Sequence, residues 1–124
     1  MDFIATNDAP QAIGPYSQAV RSGNLLFLSG QVALDPKSGN LAGGDFSAQA
    51  RRVFDNLRAV LRAGGADFKN VTRATVYLTD LNNFQTLNSI YAEYFGAHKP
   101  ARSTIGVAGL PKGAQVEIDL IAVL

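Results

Sequence analysis

Apolar positions along the chain recur with two different periods. In residues 24–34, NLLFLSGQVAL, Leu25 and Phe27 fall on one side of an extended chain and Leu26 and Leu28 on the other. That predicts a strand apolar on both faces. Residues 71–79 set Ala74, Val76 and Leu78 against Arg73, Thr75, Tyr77 and Thr79, the alternation of a strand with one buried face. Residues 103–107 read as a short strand and 115–124 as the last one. Elsewhere the period becomes helical. Phe46, Ala50, Val53, Leu57 and Leu61 recur every three or four residues, with Asp45 placed to cap the run and Gly64-Gly65 to stop it. A second helix carries Phe84, Leu87, Tyr91, Tyr94 and Phe95, with Asp80 or Asn82 as its cap and Gly96 and Pro100 as its end. Residues 10–17 and 35–45 are turn and loop material, rich in Pro, Gly, Asp and Ser. Two helices among five or six strands predict an α+β layer fold, a mixed sheet with both helices on one face.

That arrangement leaves a face over. Strand 24–34 is apolar on both sides, and the last strand becomes so, with Ile121 and Val123 opposite Leu120 and Ala122. A second apolar face needs a second cover, and no third helix supplies one. The pattern therefore implies that other subunits cover it.

Composition narrows the class. The 124 residues make a single domain, 1–124, and 47% of them are apolar, so the chain folds. A net charge of +1 argues against a dedicated nucleic-acid binder. Arg51, Arg52, Arg58 and Arg62 stripe the first helix, which reads as a solvated face. With no cysteine, disulfides, thiol nucleophiles and zinc thiolates are excluded, and the single His98 is too little for a histidine metal cluster. No stretch has the length of a membrane span or a signal peptide, so the expected location is the cytoplasm.

Some polar residues stand in apolar company. Glu117 lies between Val116 and Ile118 and points with Asp119, Ile121 and Val123 toward the face assigned to the interface. A carboxylate there is costly unless paired. Asn88 shares a helical stripe with Phe84, Tyr91 and Phe95. Ser29-Gly30 follows the most apolar run, Tyr16 sits in the proline-rich loop, and Arg102 follows Pro100 into a strand. Each has an ordinary reading. Asn88 is a satisfied amide, Ser29-Gly30 is turn chemistry, and Glu117 forms a structural ion pair with Arg102.

Taken together, "IGPYSQAV", "LFLSGQV", the helix-strand-helix run from "AQARRVFDNL" to "IYAEYF", "PARST" and "LPKGAQVEIDLIAV" resemble the RidA (YjgF-like) family of reactive-intermediate deaminases, almost end to end and in family order. The resemblance implies a chorismate-mutase-like fold and a homotrimer with a pocket at each subunit interface. It implies hydrolysis of the imine tautomers of 2-aminoacrylate and 2-aminocrotonate to 2-oxo acids and ammonia. These enamines are released by pyridoxal-phosphate-dependent serine and threonine dehydratases. Carried over by motif, the catalytic pair is Arg102 and Glu117. Tyr16, Ser29, Gly30, Asn88 and Thr104 join Arg102 in binding substrate. No metal and no cofactor are implied.

The residue types suit that chemistry. A guanidinium grips a carboxylate through two parallel hydrogen bonds. Gly30 lets backbone approach the same group. Glu117 is the one strong candidate to hold a water and relay protons. Lys99 departs from the aromatic expected before the "PARS" proline, and the connection from Phe95 to Pro100 is short. Both bear on the pocket mouth. A non-catalytic module for 2-oxo acids, or an RNA-directed translation inhibitor or ribonuclease, is the alternative.

Overall fold

A computed structural model describes all 124 residues. Six strands and two helices follow in the order β1 (Asp2–Ile4), β2 (Ala19–Ser22), β3 (Leu25–Gln31), α1 (Phe46–Ala63), β4 (Val71–Leu78), α2 (Phe84–Phe95), β5 (Ala101–Gly106) and β6 (Val116–Val123). The strands form one sheet in the order β1-β2-β3-β6-β4-β5. All neighbours are antiparallel except β4 and β5, which are parallel and joined by the α2 crossover. The α+β expectation holds. Its count is completed by β1 and β2, which the alternation did not place; they are three and four residues long, too short for a period to show.

Helix α1 starts where Asp45 accepts a hydrogen bond from Ala48 N at 3.0 Å. It ends at Gly64, where a Cβ would stand 2.6 Å from Leu26 Cδ2, so only glycine lets the helix end close onto β3. Asp80 caps the short turn Leu81–Asn83 through Asn82 N; Asn83 occupies the N-cap of α2 and makes no side-chain cap bond. The predicted cap thus serves the turn before the helix. Gly96 closes α2 with φ 61°.

Both helices lie on the sheet face formed by Leu26, Leu28, Ala74, Val76, Leu78, Val116, Ile118, Leu120 and Ala122, all buried. Phe54 is fully buried and touches the rings of Phe68, Tyr91, Tyr94 and Phe95. Truncating such a side chain to alanine costs about 3–5 kcal/mol.

The opposite face carries no element of this chain. Phe3, Val20, Phe27 and Ile121 stand in register across β1, β2, β3 and β6. Phe3 is 73% exposed and Phe27 41%. Toward β4 and β5 the face turns polar: Tyr77 Oη donates to Asp119 Oδ2 at 3.0 Å, and Arg73 donates to Ser103 Oγ at 2.8 Å. No helix is long and apolar enough to cross a membrane.

Of the α1 arginines, Arg51 and Arg62 are exposed, as a solvated face requires, while Arg52 and Arg58 are partly buried. Arg51 pairs with Glu93 at 2.9 Å and Arg62 with Asp67 at 3.4 Å. The Arg58 guanidinium stands 5.3 Å from the Phe68 ring and 5.1 Å from the Tyr94 ring. Aromatics from outside the helix supply the interleaving that its own sequence lacks.

Candidate functional site

The Ser29-Gly30 pair is a β-bulge. Leu28 pairs with Leu120 and Gln31 with Ile118, so two residues of β3 stand opposite the single Asp119 of β6. The extra residue resets the alternation, which is why Leu26, Leu28 and then Gln31 are buried. It also swings the Gly30 backbone over the neighbouring strand. A Cβ on Gly30 would stand 2.5 Å from Glu117 Oε2 and 2.8 Å from its Cδ. Glycine is the residue that lets the Glu117 carboxylate lie against the strand.

That carboxylate is half-buried, and no group of the chain donates a hydrogen bond to it. Burial first, and the like charge of Asp119 second, lift its pKa above the usual glutamate range. An unsatisfied, proton-retentive carboxyl group in a cleft has the properties of a general acid-base.

Glu117 and Gly30 open onto a cleft of about 520 Å³ that Tyr16, Ser29, Ile13 and Pro111 also line. The loop carrying Tyr16 is tied down from two sides. Ser29 Oγ donates to Ser17 O at 2.6 Å, and buried Gln18 donates to Pro10 O at 2.7 Å while accepting from Thr6 N. Ser29 therefore spends its proton on the loop and presents the cleft with an acceptor. Tyr16 is 51% exposed, and its hydroxyl accepts from Ile13 N at 3.3 Å. Gln18 was missed as a site-building residue; it reads as an ordinary polar neighbour until the fold buries it.

Arg102 stands elsewhere. It pairs in register with Ala74 and Thr104 with Val76, whose side chains are buried under the helices, so both face the helix side. Glu117 pairs with Tyr77 on the open side. Arg102 and Glu117 are on opposite faces of the sheet, and the structural ion pair between them does not form; the chain's ion pairs leave both out. The reason is parity: adjacent residues of a strand alternate faces, and the two positions belong to opposite sets.

The Arg102 guanidinium lies 4.8 Å from the Tyr91 ring and 5.6 Å from the Phe84 ring. It lines a smaller cleft of about 190 Å³ with Tyr91, Phe95, His98 and Lys99. Lys99 is exposed there, and the His98 ring is held by Val71 O at 2.6 Å. Asn88 is partly buried on α2, four residues after Phe84 and three before Tyr91. Thr104 Oγ1 and Tyr91 Oη are buried without a hydrogen-bond partner. The predicted residues thus fall into two groups: Tyr16, Ser29, Gly30 and Glu117 on one wall, and Asn88, Arg102 and Thr104 on another. No group of three acidic, histidine or cysteine side chains is disposed to hold a metal ion.

The profile of the endoribonuclease L-PSP family matches residues 6–124. A mouse 2-iminobutanoate/2-iminopropanoate deaminase is 50% identical over 120 residues, spanning 97% of this chain and 89% of that protein. A Thermotoga maritima protein solved under an endoribonuclease name superposes with a TM-score of 0.98 at 48% identity, covering 100% of this chain and 98% of its own. The structure of Escherichia coli TdcF with bound serine superposes at 0.95 with 40% identity, covering 100% and 99%.

Proposed function

Since the chain belongs to the endoribonuclease L-PSP family, which includes proteins of the Rid type, we propose that it hydrolyses small 2-imino acids to 2-oxo acids and ammonia. The substrates are 2-iminopropanoate and 2-iminobutanoate, fed by pyridoxal-phosphate-dependent dehydratases acting on serine and threonine. The observation that carries this reading is Glu117: a half-buried carboxyl group without a hydrogen-bond donor, lodged against Gly30 at a bulge, its pKa raised first by burial and then by the like charge of Asp119. The deaminase name of the mouse relative and the serine bound by TdcF support a ligand of amino-acid size.

The two walls belong to one site only if different copies supply them. A homotrimer, the open sheet faces turned inward, sets the Arg102 wall of one protomer against the Glu117 wall of the next. Three such heterologous contacts close a ring and give three sites. The apolar row Phe3, Val20, Phe27 and Ile121, exposed at Phe3 and Phe27 and half-buried at Val20 and Ile121, supports burial of that face.

In the composite site Arg102 takes the substrate carboxylate by a two-point hydrogen bond. The Gly30 backbone approaches the same group, and Asn88, Thr104 and Tyr16 close around it. Glu117 holds a water beside the imine carbon. As the water oxygen bonds to that carbon, Glu117 accepts its proton and the C=N pair withdraws onto nitrogen. Glu117 then returns the proton to the amino nitrogen. The C–N bond breaks and ammonia leaves as Glu117, again a carboxylate, takes the hydroxyl proton, and the hydroxyl oxygen becomes the carbonyl of the 2-oxo acid. A protonated imine is already electrophilic, so neither a metal nor a cofactor is called upon.

The test follows loss of 2-aminoacrylate made in situ from serine, with and without the protein, beside calorimetric titration of 2-oxobutanoate. Acceleration, with Glu117→Gln slow in turnover yet still binding 2-oxobutanoate, is expected. Saturable binding of 2-oxobutanoate without any acceleration replaces the enzyme with a binding module.

A further inference from the structure

A cationic side chain that must bind an anion cannot also be neutralised by its own protein. Arg102 meets that condition in an unusual way. No ion pair of the chain includes it, and what it touches is aromatic: Tyr91 at 4.8 Å and Phe84 at 5.6 Å from ring centroid to guanidinium carbon. These two residues are seven apart on α2, two turns of one stripe, or about 10.5 Å along the axis. Both rings stand within cation–π distance of the one guanidinium.

The Tyr91 ring is itself fixed from behind. It stacks on Phe95 at 4.3 Å with planes 22° apart and meets Phe54 edge-on at 5.8 Å. Phe54 is fully buried, and Phe95 nearly so. A ring anchored in the core in this way cannot swing off, and the cation resting on it is correspondingly restrained. Phe84 is 40% exposed at the start of α2, the outer wall of the slot.

We propose that Tyr91 and Phe84 are positioning residues, a slot that holds the Arg102 guanidinium by its faces and leaves its N–H edge free for a carboxylate. This rests on the reading of Arg102 as the carboxylate-binding group. Aromatic faces attract a cation without presenting a hydrogen-bond acceptor, so they restrain the fork and leave its donors uncommitted. An acidic residue in the same place would occupy the N–H groups the ligand needs. The slot also lowers the conformational entropy lost when ligand binds, because a long rotamer-rich side chain is ordered beforehand.

The experiment has two arms. The first reads the slot itself, by the Nε–H proton shift of Arg102 in the folded protein. Ring currents displace it upfield from the protein's other exposed arginines, and Tyr91→Leu returns it toward them. The second titrates 2-oxobutanoate by calorimetry. Tyr91→Leu is expected to raise Kd roughly five-fold to thirty-fold, and Phe84→Leu roughly two-fold to five-fold. Tyr91→Phe keeps the ring and retains the parent Kd to within about two-fold, which separates the slot from the Tyr91 hydroxyl. In turnover the loss falls on KM ahead of kcat. Phe84→Leu carries the test if Tyr91→Leu fails to fold, since Phe84 is an outer residue. Folded leucine variants with parental Kd overturn the proposal, as does an unshifted Arg102 Nε–H in the parent. A parent that shows the displaced resonance but does not bind 2-oxobutanoate refutes the carboxylate role and leaves the aromatic slot standing as a structural device.

Discussion

Arg102 and Glu117 lie on opposite faces of one sheet, so their cooperation is a question about which chain supplies which. Two variants, each dead for a different reason, answer it. Arg102→Ala removes two charge-assisted hydrogen bonds worth about 1.5–3 kcal/mol each, a loss of at least about a hundred-fold. Glu117→Gln removes proton transfer, worth about a hundred-fold to ten-thousand-fold. Either homotrimer therefore retains no more than about 1% of parental activity. Suppose the two are mixed in equal amounts, unfolded and refolded together. A site that takes its arginine from one subunit and its glutamate from the next is intact when the first is the Glu117→Gln chain and the second the Arg102→Ala chain. Each condition is met half the time, so about a quarter of the sites revive in a closed three-fold ring. That signal exceeds the background by more than an order of magnitude. The assay is the loss of 2-aminoacrylate generated in situ, with native mass spectrometry to show that the trimers are mixed. Mixed trimers no more active than the two parents would refute the composite site, because a site built within one chain is never restored by mixing.

Three further outcomes are expected. Gly30→Ala sets a methyl group where it meets Glu117 Oε2; the flexible carboxylate is displaced, kcat falls, and the melting temperature stays within a few degrees, whereas an unchanged kcat removes the close approach from the mechanism. Ile121→Asp, on the open face, yields smaller species in sedimentation equilibrium while secondary structure persists, and Leu28→Asp, on the helix-covered side and 5% exposed, unfolds the chain; a stable Ile121→Asp trimer contradicts the inward-facing assembly. Because the Glu117 pKa is raised, its base form is lost on acidification sooner than for an ordinary carboxylate, so the acid limb of kcat/KM lies above the ordinary glutamate range; Asp119→Asn removes a like charge and shifts that limb to lower pH, and an unmoved limb detaches it from Glu117.

The elements with long periods were legible before the fold was seen. Helix α1 carries five apolar positions three or four residues apart from Phe46 to Leu61, and β4 alternates through Leu78, so each announces its buried face. Strands β1 and β2 did not, for they are short and lie at or near the sheet edge, where few residues need burial. The candidate site residues stood out as a set of motifs, but their grouping on two walls did not. Whether Arg102 and Glu117 share a face depends on strand order and register, which are products of long-range pairing and leave no trace in a local pattern. The bulge at Ser29-Gly30 is similar: its two-against-one count exists only relative to β6. The stripe Phe84, Asn88, Tyr91 and Phe95 was visible on α2, yet its purpose needed the strand that passes beneath it.

The strand order has a kinetic corollary. Glu117 sits on β6, hydrogen-bonded on both sides in the middle of the sheet, whereas Arg102 sits on β5, which has a neighbour on one side only. Amide hydrogens of central strands exchange with solvent only through global opening, while edge strands open in smaller excursions. The two walls of the cleft therefore differ in endurance within a single protomer. The wall that carries Glu117 persists as long as the fold does, and the wall that carries Arg102 frays first. In the isolated chain, deuterium should enter the backbone amides around Arg102 well before those around Glu117. In an assembly that covers β5 the gap should narrow, and a ligand carboxylate that bridges the walls should narrow it further.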